Sequence, residues 1–243
     1  MTKYIYLIFI LCGLTSCKTI SVNKEYQTRT TQNIQLGSIG EEKNFVLEKD
    51  YNNTAIPKYL EPIKVHIYPV AFNKKTFNAY QDAMVFQSKD LGVNFIDSIE
   101  TKPTYLKIEI ADRLSILKSL NSHENKDIFD FLKNKSESHI VTTISIAFKK
   151  DIIDAINNAD EVFLVNSGIN SYVLKTFKSK TEQETILFNE GVVFGYQSSN
   201  ACWKENEKYQ LEIVDLVESD DECPNKTYRS SKRAKKKINY YKF

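Results

Sequence analysis

Residues 140–148 read Ile-Val-Thr-Thr-Ile-Ser-Ile-Ala-Phe, an alternating, β-branched run with no Gly, Pro or charge in it. That pattern predicts a strand, and its neighbours on both sides set the fold class. Upstream, Ile63, Val65 and Ile67 alternate with Lys64, His66 and Tyr68, the period-2 mark of a half-buried strand. Asn73 then caps a helix in which Phe77, Tyr80 and Met84 recur at helical spacing as far as about Lys89. Short strands follow at Val93–Ile99 and Leu106–Ile110. Leu114, Ile116, Leu117 and Leu120 fit either a helical turn or continued strand, and Asn125 caps a short helix containing Ile128, Phe131 and Leu132.

Downstream of the central strand, Lys150–Asn158 reads as a helix with Ile152, Ile153 and Ile156 inward, and the remainder is strand after strand. Glu161–Val165 and Tyr172–Phe177 flank an Asn-Ser-Gly-Ile-Asn turn. Thr185–Phe188 and Val192–Tyr196 flank Asn189-Glu190-Gly191, and Lys208–Val217 is a last long strand. Local succession favours antiparallel pairing. The expected fold is α+β, an antiparallel β-meander in the C-terminal half packed with a few short helices from the N-terminal half. A mostly-β sandwich is the alternative.

The 243 residues carry 33 Lys and Arg against 31 Asp and Glu, a formal net charge of +2. That balance excludes a bulk nucleic-acid binder, which needs a cationic excess to displace counterions from phosphates. The small number hides a split. Lys226, Arg229, Lys232, Arg233, Lys235, Lys236, Lys237 and Lys242 place eight cations and no acid in residues 226–243. Residues 1–16 hold only Lys3, which leaves 24 bases against 31 acids in residues 17–225, a body of −7 carrying an arm of +8.

Lys3 precedes an apolar to weakly polar run, Tyr4–Leu14, that closes with Leu14-Thr15-Ser16-Cys17. A short basic start, an apolar stretch of this length and small residues before the cut describe an export signal, too short to cross a bilayer as a helix. The Leu-Thr-Ser-Cys ending resembles the lipobox of bacterial lipoproteins. The resemblance covers residues 1–17 only and implies that Cys17 receives a diacylglyceryl group and becomes the first residue of the exported chain. Acyl chains would hold the protein to a membrane at about 0.8 kcal/mol per buried methylene. Lys18 stands where an inner-membrane retention signal has Asp, so the resemblance implies the periplasmic face of the outer membrane, with the cell surface or the inner membrane's outer leaflet as alternatives. The expected organisation is a signal at 1–16, a lipidated cysteine and flexible, Thr/Asn/Gln-rich tether at 17–44, one globular domain at 45–225 and a basic arm at 226–243.

Cys202 and Cys223 are a candidate disulfide for an oxidising compartment. If Lys208–Val217 is straight, its ends lie about 30 Å apart. Glu218–Glu222 must then fold back, or the preceding loop must drape along the strand. His66, His123 and His139 form no metal-spaced pair, and no G-x-S-x-G, S-x-x-K, P-loop or G-x-G-x-x-G occurs. The chain therefore predicts neither catalytic residues, nor a metal site, nor a cofactor. The basic arm is the sharpest interaction candidate. Ser231 caps a helix with Ala234, Ile238 and Tyr241 on one stripe, and Lys226, Arg229, Lys232, Arg233, Lys235, Lys236 and Lys237 either engage an anionic partner or dock on the chain's own acidic body. The expectation is a non-enzymatic, lipid-anchored subunit of an envelope complex with a protein partner; the alternative is a lipoprotein that binds glycan or anionic polymer.

Overall fold

A computed structural model describes residues 19–44, 49–168 and 170–235. The chain opens with four strands, β1 (Thr19–Val22), β2 (Glu25–Arg29), β3 (Ile39–Asn44) and β4 (Lys49–Ala55). Next come β5 (Ile63–Ala71), α1 (Lys74–Phe86), β6 (Thr104–Ile110), α2 (Arg113–Leu120), a 3-10 turn at His123–Asn125 and α3 (Lys126–Asn134). The central strand β7 (His139–Ala147) is followed by α4 (Lys150–Asn157), β8 (Glu161–Asn166), β9 (Tyr172–Lys178) and β10 (Thr181–Leu187). The 14-residue β11 (Val192–Glu205), β12 (Leu211–Glu218) and α5 (Ser231–Lys235) complete it.

Twelve strands join one antiparallel sheet in the order β1-β2-β11-β7-β6-β5-β8-β9-β10, with β12 added to β11 and the β3–β4 hairpin added to β7. The protein is thus mostly β, closer to the sandwich alternative than to the α+β meander. In the C-terminal half consecutive strands pair within β8–β9–β10 and within β11–β12, but the succession breaks between β10 and β11. β11 does not pair with β10 but crosses to the middle of the sheet, between β7 and β2. The Asn189-Glu190-Gly191 stretch is accordingly no hairpin. It is part of a 3-10 turn, Phe188–Glu190, in which the Glu190 carboxylate accepts the Leu187 N–H at 2.9 Å.

β7 is uncharged because every position from Ile140 to Ala147 is buried. Ile140, Ile144 and Ile146 enter the larger core, where they meet α2, α3 and the β8–β10 wing through Ile116, Leu132, Leu164 and Leu174. On the opposite side Ser145 donates to Gln27 Oε1 at 2.7 Å, and Ala147 joins a second cluster around Phe72, Tyr80, Tyr105 and Phe194 beneath α1. Side chains this small leave room on this face for Gln27 of β2 and Ile20 of β1. Gly195 makes the same concession, since a Cβ there would stand 2.8 Å from Gln27 Oε1 and 2.9 Å from Ile20 Cδ1. α1 begins where expected. Asn73 Oδ1 accepts from Lys75 N and Thr76 N while Thr76 Oγ1 accepts from Asn73 N, a reciprocal box that fixes the first turn.

Several expectations are corrected. Residues 19–44 are not a tether: Ile20, Val22, Ile34, Leu36 and Ile39 are core residues, and Thr30 and Thr31 donate hydroxyl hydrogen bonds to the Asp50 carboxylate at 2.7 and 2.9 Å. The globular unit therefore includes Thr19 onward, ahead of the expected start at 45. Val93–Ile99 is no strand. Leu91, Val93 and Phe95 pack on the second core cluster, but the segment has no ladder partner among the described residues. Asn125 is the N-cap of α3 without a side-chain cap bond, because its amide serves Lys58 N, Lys58 O and Ser119 O. Among the described residues no helix is long and apolar enough to cross a membrane.

Candidate functional site

The far half of β11 collects most of the residues singled out in the sequence. Trp203 pairs with Ile213 of β12 on one edge, and on the other it exchanges both backbone hydrogen bonds with Tyr228, at 2.8 and 3.0 Å. The indole is buried and meets Phe129 of α3 edge-on, with ring centroids 5.1 Å apart. After β12 the chain does reverse, with Asp221 N–H closing a turn on Glu218 O, and returns along β11. The return brings Cys223 to Cys202, Cα atoms 5.7 Å apart, where the two form a disulfide. A one-residue slip in the β11–β12 ladder falls between Cys202 and Trp203, next to the bridge.

Arg229 does not point at solvent partners. Its Nη2 donates to the carbonyl oxygens of Ser219 at 2.7 Å, Glu218 at 3.3 Å and Asp221, clasping the reversal although the residue itself is exposed. α5 starts at Ser231, whose hydroxyl donates to Lys133 O at 2.6 Å, and Ala234 sinks into the core. Residues 226–235 are thus docked on the body rather than free as an arm. Lys226, Lys232, Arg233 and Lys235 remain exposed along the docked segment. Lys236, Lys237, Ile238 and Tyr241 lie outside the described residues, as does Cys17.

A cleft of about 380 Å³ opens between the start of α3 and the start of β12. His123 and Lys126 line one wall, Gln210 and Glu212 the other, and Phe129 is shared between the cleft and Trp203. Glu212 already accepts from Asn206 Nδ2 at 2.5 Å. The wall that carries β12 is fixed by Asn121, which follows α2. Its amide Oδ1 accepts from Ile213 N–H at 2.9 Å and its Nδ2 donates to Ile213 O at 2.8 Å, imitating a neighbouring strand. The local sequence signal for this role is an Asn directly after an apolar helical run. The cleft offers a cation, a carboxylate, an amide and an aromatic ring, a set suited to hydrogen-bonding a polar ligand. It holds no nucleophile paired with an oriented base.

The histidines stay apart. His66 and His123 are exposed, whereas His139, at the start of β7, is partly buried rather than on the surface. Burial pushes its imidazole below the ordinary histidine value, against the pull of Glu42 and a hydrogen bond with Asn200. Among the described residues no three His, Cys, Asp or Glu side chains gather as a metal site. The aromatic side chains mostly went inward: Tyr51, Tyr59, Tyr80, Tyr105, Tyr172 and Tyr196 are buried, and the exposed Tyr26, Tyr68 and Tyr209 sit on separate elements. Burial raises the Tyr59, Tyr105 and Tyr196 hydroxyls well above the ordinary tyrosine range. No family model, characterised protein or solved structure matches this chain.

Proposed function

We propose that this chain is a lipid-anchored protein of a bacterial envelope that works by binding a partner rather than by catalysis. One observation carries the reading: the two ends of β11 are put to different uses. β1 starts level with Tyr196, in the Val192 half of β11, through Thr19 opposite Thr28 and Thr28 opposite Tyr196, two residues after the Cys17 of the lipobox-like ending. The exposed cations of the docked segment, the disulfide and the cleft lie around Cys202–Glu205, at the other end. From Tyr196 to Cys202–Glu205 a strand advances about 20–30 Å. An anchor at the near end would hold the basic face away from the bilayer, toward an acidic protein partner on the periplasmic side of the outer membrane.

A second reading, binding of a glycan or anionic polymer, is favoured by the polar cleft with Lys126 on its wall and, separately, by the exposed Lys232 and Arg233 of the docked segment. Cross-linking in intact envelopes separates the two. The proposal expects one stable protein partner, lost when Lys232→Glu and Arg233→Glu are combined. Recovery of no protein, together with retention of the wild type on an anionic polysaccharide column, would replace the first reading by the second.

A further inference from the structure

The same end of β11 that receives the chain's first strand also carries an apolar step on α1. The outer side of α1 is polar for most of its length, through Lys74, Lys75, Asn78, Gln81 and Asp82, and then ends in Val85 and Phe86, 70% and 65% exposed. Single exposed apolar side chains are ordinary; two in succession on an otherwise polar helix face are less so.

Three contacts locate that step. Arg29, next to Thr28 in β2, is ion-paired with Asp82, which shares a helix face with Val85 and Phe86 at i+3 and i+4. Gln87 Nε2 donates to Thr31 O at 3.2 Å and to Val193 O at 2.6 Å, and its Oε1 accepts from Val193 N at 3.3 Å. Lys89 Nζ donates to Gly191 O at 2.7 Å. The end of α1 is therefore pinned to the first residues of β11, a few residues beyond the level of Tyr196 at which β1 begins and on the side from which the chain enters β1. A cleft of about 310 Å³ runs between Phe86, Gln87, Lys89 and Thr31–Asn33, so Phe86 stands at its rim with an ammonium group close by.

Cys17 precedes Thr19 by two residues, at most about 7 Å of extended backbone. Because residues 19–44 are built into the sheet, no slack remains between a lipidated Cys17 and the domain. The geometry points to a seated rather than a tethered protein: the Val85–Phe86 step rests in the headgroup layer of the bilayer that holds the Cys17 lipid. This inference rests on the lipid anchor proposed above and adds the surface that meets the membrane. Side chains of this kind enter the interface by about 5–10 Å.

Full-length protein carrying its native modification, reconstituted in phosphatidylethanolamine/phosphatidylglycerol vesicles with brominated acyl chains, tests it. Trp203 is buried at the far end and gives a constant background. A Phe86→Trp variant should lose about half its added emission to the bromolipid, as expected for a ring at interfacial depth. Tyr209→Trp, on the loop between β11 and β12, should lose none. An unquenched Phe86→Trp on protein whose mass shows a lipidated Cys17 overturns the seating and leaves the anchor standing. Equal quenching at both positions overturns it as well, since the domain would then lie in no fixed orientation. A Cys17 without lipid removes the anchor and the seating together.

Discussion

The Asn121 side chain pairs with both backbone groups of Ile213, closing the outer edge of β12 as another strand would. Arg113 adds a bond to Leu216 O further along the same edge. An edge covered in this way is not open to a foreign strand. Asn121→Ala strands the N–H and C=O of Ile213 and should cost about 2 kcal/mol, since unsatisfied backbone groups cost about 1–3 kcal/mol. Asn121→Asp keeps the acceptor but loses the donor and should fall between. Urea unfolding of the three proteins checks the order, and equal midpoints would dismiss the pairing.

The Cys202–Cys223 bridge closes a loop of 21 residues that contains β12. Its loss should lower stability by about 3 kcal/mol through the unfolded chain. Cys202→Ser with Cys223→Ser should melt well below wild type, and reductant should move the wild type toward the variant while leaving the variant unmoved. A peptide map showing two free thiols in exported protein would refute the bridge.

Gly195→Val drives a side chain into Gln27 of β2 and Ile20 of β1. Overpacking of this sort costs about 1–3 kcal/mol. The damage should be local, so brief trypsin treatment ought to cut at Lys24 or Arg29 in the variant and leave both bonds whole in the wild type. Unchanged cleavage would mean that the hairpin gives way without cost.

His139 links stability to pH. Burial holds the protonation of its imidazole below the ordinary value, outweighing the opposing pull of Glu42, Asn200 and Glu137. The folded state thus binds fewer protons than the unfolded one once the pH falls below about 6.5, and stability declines as acid is added. Thermal unfolding from pH 7 to pH 5 should show a steeper fall for wild type than for His139→Gln. Parallel curves would rule the histidine out as the source.

Much of the sheet could be read from the chain because its strongest signals are local. The uninterrupted alternation at 140–148, the Asn73 box and the Gly168-containing turn between β8 and β9 each need only their neighbours. Gly168 and Asn170 there take positive φ, as the turn requires. The polar start misled for the same reason. β1 offers only Ile20 and Val22 to the core, and its turn uses Asn23 and Lys24 at positive φ without a glycine to announce it. β11 runs on past Tyr196 through Gln-Ser-Ser-Asn, a stretch that looks like a loop. Ser199 stays in the strand because its hydroxyl meets Thr142 at 3.2 Å in the interior, a partner 57 positions away. The docked basic segment was hidden likewise, since its contacts with Trp203 and Lys133 are visible only after β12 has turned back.

The length of β11 also has a mechanical meaning. Its Val192 half borders β2, the partner of the strand nearest the chain's start, and its Glu205 end holds the returning segment through Trp203 and the disulfide. A pull between membrane and bound partner would then be applied along the strand axis. Ladder bonds lie across that axis, so the β11–β7 and β11–β12 bonds would be sheared together instead of opened one after another. The strand would act as a tie-rod between two attachment points.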